Sequence, residues 1–279
     1  MAGVAVVTDS ACDLPPELAS RHGIEVVPLT IRFGEEELVD RRDLTPRQFW
    51  DRLASTEVLP ETAAPAPGAF EDAYRRAASE GADGVICVTL SAALSATYES
   101  AQVAAQAVEG TIPVRVVDSR AVTMAEGLMA VRAAELSAQG AGLDEVATEV
   151  EGMIARSRTF AALDTLENLR KGGRIGAAQA FLGSMLSVKP VIQVADGEVH
   201  PESRQRTRGR ALRYLANKVR EHQPVETLAV MHGDAPDVDQ MLDLLAPVHP
   251  REDILVGDVG AVIGTHAGPG VMGVTFFIR

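Results

Sequence analysis

Short apolar runs alternate with longer stretches of helical periodicity along most of the chain. Val4 to Val7, Ile24 to Ile31, Gly84 to Leu90 and Val114 to Val117 are rich in Val, Ile and Leu, the pattern of strands buried on both faces. Between them, Pro46 to Leu53, Gly68 to Ser79, a segment beginning near Ser91, Thr123 to Ala138 and Leu143 to Ser157 read as helices. Phe70, Tyr74, Ala77 and Ala78 recur at helical spacing in one, and Val146, Val150, Met153 and Ile154 form a stripe in another. Asp13-Leu14-Pro15-Pro16-Glu17 is a helix start, because proline is tolerated in the first turn. Phe33-Gly34-Glu35 and the residues after it read as a small hairpin, and the prolines around Thr62 fix that segment as extended or turn.

The second half continues with different proportions. Phe160 to Leu163 reads as a strand, followed by a short helix closed by Gly172-Gly173 and an apolar helix over Ala177 to Leu186. Val188 to Val194 is a strand leading through an Asp196-Gly197 turn to Glu198-Val199-His200. A helix then faces Leu212, Leu215 and Val219 inward. Leu228 to Met231 and Ile254 to Val256 are strands flanking a helix over Val238 to Leu245, and a glycine-punctuated loop around His266 precedes a closing strand. This alternation predicts the α/β class: a mostly parallel N-terminal sheet with helices on both faces. The expected division is an N-terminal domain over 1–157 and a smaller C-terminal one over 158–279.

Composition narrows the function classes. The chain of 279 residues is long enough to bury a large core. Its 26 basic and 39 acidic residues leave a formal charge of −13, which argues against nucleic acid or an anionic membrane as the main partner. No apolar run approaches the roughly 20 residues of a membrane span, and Met1-Ala2-Gly3-Val4 lacks the charged start of a signal peptide. A cytosolic location is expected. Cys12 and Cys87 are isolated and read as structural thiols, and no histidine falls in an H-x-x-x-H pair, so neither disulfide nor metal chemistry is expected.

The candidate chemistry lies where strands end. The loops after Val7, Leu90 and Val117 all carry hydroxyls or Asp, and open α/β sheets bind ligands at that edge. Ser91, Ser95 and Thr97 lead into a helix N-terminus, where free N–H and O–H groups can converge on an anion. Each residue also has an ordinary reading: Ser91 and Ser95 as helix caps, Thr62 as a turn residue, His266 as a histidine satisfied by backbone. The contexts T-L-S-A-A and A-L-S-A-T lack the glycines of a nucleophile elbow, which argues against a Ser/His/Asp hydrolase. No phosphate-binding loop occurs, and V-G-A-V-I-G at Val259 matches a dinucleotide fingerprint only loosely. Arg204, Arg206, Arg208 and Arg210 make a local basic patch in an acidic chain, suited to docking an acidic partner.

Taken together these segments resemble a known family. V-T-D-S-A-C-D-L-P at Val7, T-x-x-P at Thr62, S-x-x-L-S-x-T-Y at Ser91 and V-D-S-R at Val117 are followed by L-E-N-L-R-K-G-G-R-I-G at Leu166 and K-P-V-I-Q-V-A-D-G at Lys189. The arginine run and G-T-H-A-G-P-G at Gly264 complete the set. Their order and spacing are similar to those of DegV-family proteins over essentially the whole chain. The resemblance implies two α/β domains with a fatty acid in a tunnel between them and no catalytic activity of the chain's own. It also implies a role like that of the FakB-type members, which present the bound acid to a separate fatty acid kinase that supplies ATP and metal.

By position, the resemblance carries the carboxylate-binding role to Thr62, Ser91 and His266, and the kinase-facing surface to Arg206 with its neighbours Arg204 and Arg208. The chain departs from the family pattern at Ala63-Ala64, where Ser-Gln is usual, and at Ala92, where a second serine is usual. Either Ser91 or Ser95 is therefore a candidate for the head-group contact. Burying about fifteen methylenes at about 0.8 kcal/mol each favours a lipid over a small polar acid, and Phe160 to Leu163 and Phe181 to Leu186 are candidates to line the tunnel. Beside this carrier stand two other readings. One is an enzyme acting on an acyl or small-acid substrate with Ser91 as nucleophile and His266 as base. The other is a lipid sensor without a kinase partner.

Overall fold

A computed structural model describes residues 3–56, 58–184 and 188–279. β1 (Val4–Asp9) runs through a 3-10 turn at Ser10–Cys12 into α1 (Pro16–His22), which ends on Gly23 at φ 62°, a left-handed position glycine takes without a Cβ penalty. The single strand expected over Ile24 to Ile31 is two, β2 (Ile24–Val27) and β3 (Thr30–Phe33), because Pro28 has no N–H with which to continue a ladder. Gly34 then turns the chain into β4 (Glu36–Val39). α2 (Pro46–Ser55) opens with a capping box in which Thr45 and Gln48 satisfy each other's backbone N–H groups. β5 (Glu61–Ala63) joins a three-stranded sheet of order β4-β3-β5.

α3 (Pro67–Ser79) and β6 (Gly84–Thr89) follow. The next helix, α4 (Thr97–Ala107), starts later than expected. Residues 91–96 are taken up by a turn in which the Ser91 carbonyl accepts from the N–H groups of Leu94 and Ser95. β7 (Val114–Asp118), α5 (Met124–Ala138) and α6 (Leu143–Arg156) complete the first half. β8 (Ser157–Ala162) and α7 (Glu167–Lys171) lead to a 3-10 segment at Gly176–Ser184 in place of the expected helix over Ala177 to Leu186, whose last residues, Met185 and Leu186, lie outside the described residues. β9 (Lys189–Ala195), β10 (Glu198–Gln205), α8 (Arg208–Glu221), β11 (Val225–His232), α9 (Val238–Leu245) and β12 (Ile254–Asp258) follow. The chain closes with α10 (Ala261–Ala267) and β13 (Met272–Ile278).

Packing divides these elements into two units, and a single cut does not describe the division. The first comprises 1–30 and 63–155, the second 31–62 and 156–279. Residues 31–62, which fall within the expected N-terminal domain, pack with the C-terminal half and make that unit the larger rather than the smaller. In the first unit a parallel sheet of order β2-β1-β6-β7 forms. Val7, Val85 and Cys87 share one face with Phe70, Ala73 and Tyr74 of α3 and Ala101 and Ala104 of α4. By the two-residue period of a strand, Val6, Ile86 and Val88 point the other way, and all are buried. α5 packs against β1, β6 and α1.

The second unit holds a six-stranded mixed sheet of order β10-β9-β8-β13-β11-β12, antiparallel except for the β11–β12 pair. Leu212, Leu215 and Val219 of α8 and Met241 and Leu245 of α9 cover one face of it, against Phe160, Val230, Val274 and Phe276. Phe160 is thus a core residue stacked with Phe276 at 6.2 Å between ring centroids, not the tunnel lining expected of it. Away from that core, α10 packs against α7 and α2.

Candidate functional site

The expected glycine loop around His266 is a helix: His266 lies in the last turn of α10. Gly264 lowers the helix propensity of this stretch by about 1 kcal/mol, so its placement depends on what packs against it. On one side Asn168 of α7 donates its Nδ2 N–H to the Thr265 carbonyl at 3.1 Å, satisfying a carbonyl that the helix end leaves open. Beyond α7, the Cα of Gly172 rests on the imidazole: a Cβ at that position would stand 2.3 Å from His266 Nδ1. On the other side Phe49 and Trp50 of α2 lie against Gly264.

With the helix fixed in this way, His266 Nε2 stands 3.0 Å from the Thr62 hydroxyl of β5. Burial pushes the imidazole pKa down to about 4, with the nearby Arg174 charge adding to the effect. His266 is therefore neutral at physiological pH, and its Nδ1 is buried with no hydrogen-bond partner among the described residues. The second unit thus offers a neutral imidazole and a hydroxyl in contact, and among the described residues no carboxylate is hydrogen-bonded to the ring to make it a strong base.

Ser91 and Ser95 belong to the first unit, at the C-terminal edge of its parallel sheet. Ser91 is fully buried, and its Oγ accepts from the Ala93 N–H at 3.2 Å. Ser95 Oγ accepts from the Thr97 N–H at 3.3 Å and shares a hydrogen bond with Thr97 Oγ1 at 2.9 Å, closing a local turn just before α4. The acids at this edge stitch the loops together. Asp9 accepts from the N–H groups of Ala11 and Leu90, each at 2.9 Å. Asp118 accepts from Ala92 and Arg120. Beneath them lies a fully buried carboxyl pair. Thr8 donates to Glu126 Oε1 at 2.9 Å, while Glu126 Oε2 has no donor. Burial raises the Glu126 pKa well above the usual range and that of Asp9 to about 7.

The three arginines expected to face a partner differ in availability. Arg208 is held in a two-pronged pair with Asp237 at 2.9 and 3.0 Å. Arg204 lies in β10 rather than before the helix, with its guanidinium 4.3 Å from the Phe181 ring centroid and bonded to the Ala180 carbonyl. Arg206 is exposed and has no ion-pair partner among the described residues. Sequence reasoning missed Gly172, Arg174 and Trp50 as parts of the His266 surroundings. The signals present were the glycine pair after α7 and the chain's single tryptophan.

Among the described residues no cluster of His, Cys, Asp and Glu suits a metal ion. No helix is long and apolar enough to cross a membrane. Residues 3–279 match the family described as "Uncharacterised protein, DegV family". A DegV domain-containing protein of Streptomyces coelicolor is 41% identical over 281 residues, covering 99% of each chain. Among solved structures, a DegV family protein of Thermus thermophilus described as fatty acid binding superposes with a TM-score of 0.91 at 34% identity, over 99% of this chain and 100% of that one. DegV of Bacillus subtilis, described as a fatty acid binding protein, gives a TM-score of 0.88 at 31% identity over the full length of both.

Proposed function

We propose that this chain, which belongs to the DegV family, binds a long-chain fatty acid and holds its carboxylate at Thr62 and His266. The observation that carries the proposal is the 3.0 Å contact between the Thr62 hydroxyl and a neutral, largely buried His266. If the imidazole proton sits on Nε2, the ring donates to Thr62 Oγ1, and the threonine O–H remains to donate to an incoming carboxylate. Hydrogen bonds to a charged acceptor contribute about 1.5–3 kcal/mol. A few neutral donors therefore hold the head group while burial of the acyl chain supplies most of the affinity at about 0.8 kcal/mol per methylene. Ser91 of the first unit is proposed as a further head-group donor, since Ser95 Oγ is engaged with Thr97.

The chain has no need of a nucleophile, metal or cofactor of its own for this role. We further propose that the bound acid is presented to a fatty acid kinase in the cytoplasm, with Arg206 the contact among the three arginines, since Arg204 and Arg208 already have partners within the chain. Native mass spectrometry of the purified protein tests the binding: an adduct of acyl-chain mass is expected. A protein that stays empty after incubation with long-chain fatty acids contradicts it.

A further inference from the structure

The chain's single tryptophan, Trp50, is 5% exposed and reaches out of α2 between two glycines. A Cβ on Gly264 of α10 would stand 2.8 Å from its six-membered ring, and one on Gly233, just past the end of β11, would stand 2.6 Å from it. Its indole N–H donates to the Val259 carbonyl at 3.0 Å, at the entry to α10. Phe49 packs edge-on against the indole at 4.9 Å between centroids and touches Gly264 as well, where a Cβ would stand 2.6 Å from its ring.

α10 is short and glycine-bearing, so its own backbone does little to hold it. The segment 31–62 meets it twice: Trp50 at its start and middle, and Thr62 at its end through His266. We infer that Trp50 is a positioning residue for the head-group site, wedged against Gly233 and Gly264 and bonded to Val259 so that α10 holds His266 Nε2 at the Thr62 hydroxyl. The inference takes its ligand from the proposed function. One excursion of the chain then supplies both the threonine donor and the wedge that aligns its histidine.

The test compares Trp50→Phe, which keeps an aromatic wedge without the N–H donor, with Trp50→Leu. Palmitate affinity is measured by calorimetry, the His266 imidazole titration by NMR, and the unfolding midpoint alongside. In folded Trp50→Leu, palmitate binding is expected to weaken about tenfold or more, and His266 to titrate closer to an ordinary imidazole, with Trp50→Phe between the two. If both variants lose only unfolding midpoint while His266 titration and palmitate affinity match the unsubstituted protein, Trp50 is a packing residue and the inference is overturned. If Trp50→Leu does not fold, Trp50→Phe decides alone: unchanged titration and affinity overturn the inference. Should the unsubstituted protein take up no palmitate, the proposed function falls, and the His266 titration still decides the role of Trp50.

Discussion

The Thr62 hydroxyl and the His266 imidazole lie 204 positions apart in the chain and 3.0 Å apart in space. Thr62→Val keeps the shape of the side chain and removes its donor. It is expected to weaken fatty-acid binding about tenfold, the effect of about 1.4 kcal/mol from one lost hydrogen bond to a charged acceptor, as read by displacement of a fluorescent fatty acid. His266 also makes the second unit sensitive to acid. Its folded pKa of about 4 lies below the ordinary imidazole value of 6.5, so between these values the unfolded chain binds the extra proton. Stability is then full above about pH 6.5 and falls as pH drops towards 4, by about 2–3 kcal/mol. Urea unfolding of His266→Gln should lack that loss, and an identical pH profile in the two proteins would refute the buried neutral imidazole.

At the scale of elements, the site depends on close approaches that only glycine permits. Gly172→Ala would drive a methyl into the imidazole, 2.3 Å from Nδ1. Displacing the ring from Thr62 is expected to cost about 1–3 kcal/mol of stability and to weaken fatty-acid binding. A variant with unchanged binding and unchanged His266 resonances would show that the ring has room to move.

The alternation of strand and helix was legible from periodicity, and β6, α5 and α9 lie where it places them. α10 was not legible, because Gly260, Gly264 and Gly268 read as loop punctuation. Gly264 in fact makes room for Phe49 and Trp50 on a helix. β10 extends to Gln205 because it pairs with β9 on both sides of a bulge between Pro201 and Ser203, a partner that the charged and polar residues after His200 do not announce.

For the whole molecule, the assignment of 31–62 to the second unit is the feature least visible in sequence. Periodicity reports which face of an element is apolar, not which distant element covers it. The family resemblance names Thr62 and His266 together as candidates, whereas the residues around them come from distant parts of the chain. The two units are expected to respond oppositely to pH. In the first, burial pushes Asp9 up to about 7 from the ordinary 3.8 of an aspartate, and Glu126 is raised as well. The folded state there holds more protons than the unfolded one, and stability falls as pH rises from about 4 to 7. Glu126→Gln replaces the buried carboxyl with a neutral amide of the same shape. It should be more stable than the unsubstituted protein at pH 8 and equal to it at pH 4 in urea unfolding, whereas a loss of stability at pH 8 would mean that Glu126 is ionised in the fold.

The His266 imidazole is the natural probe of the proposed carboxylate position. An NMR titration of His266 with and without saturating palmitate is predicted to show its pKa rising from about 4 when the acid is bound, since a nearby carboxylate favours the imidazolium. Palmitate that binds stoichiometrically while the His266 titration stays unchanged would place the head group elsewhere and contradict the account.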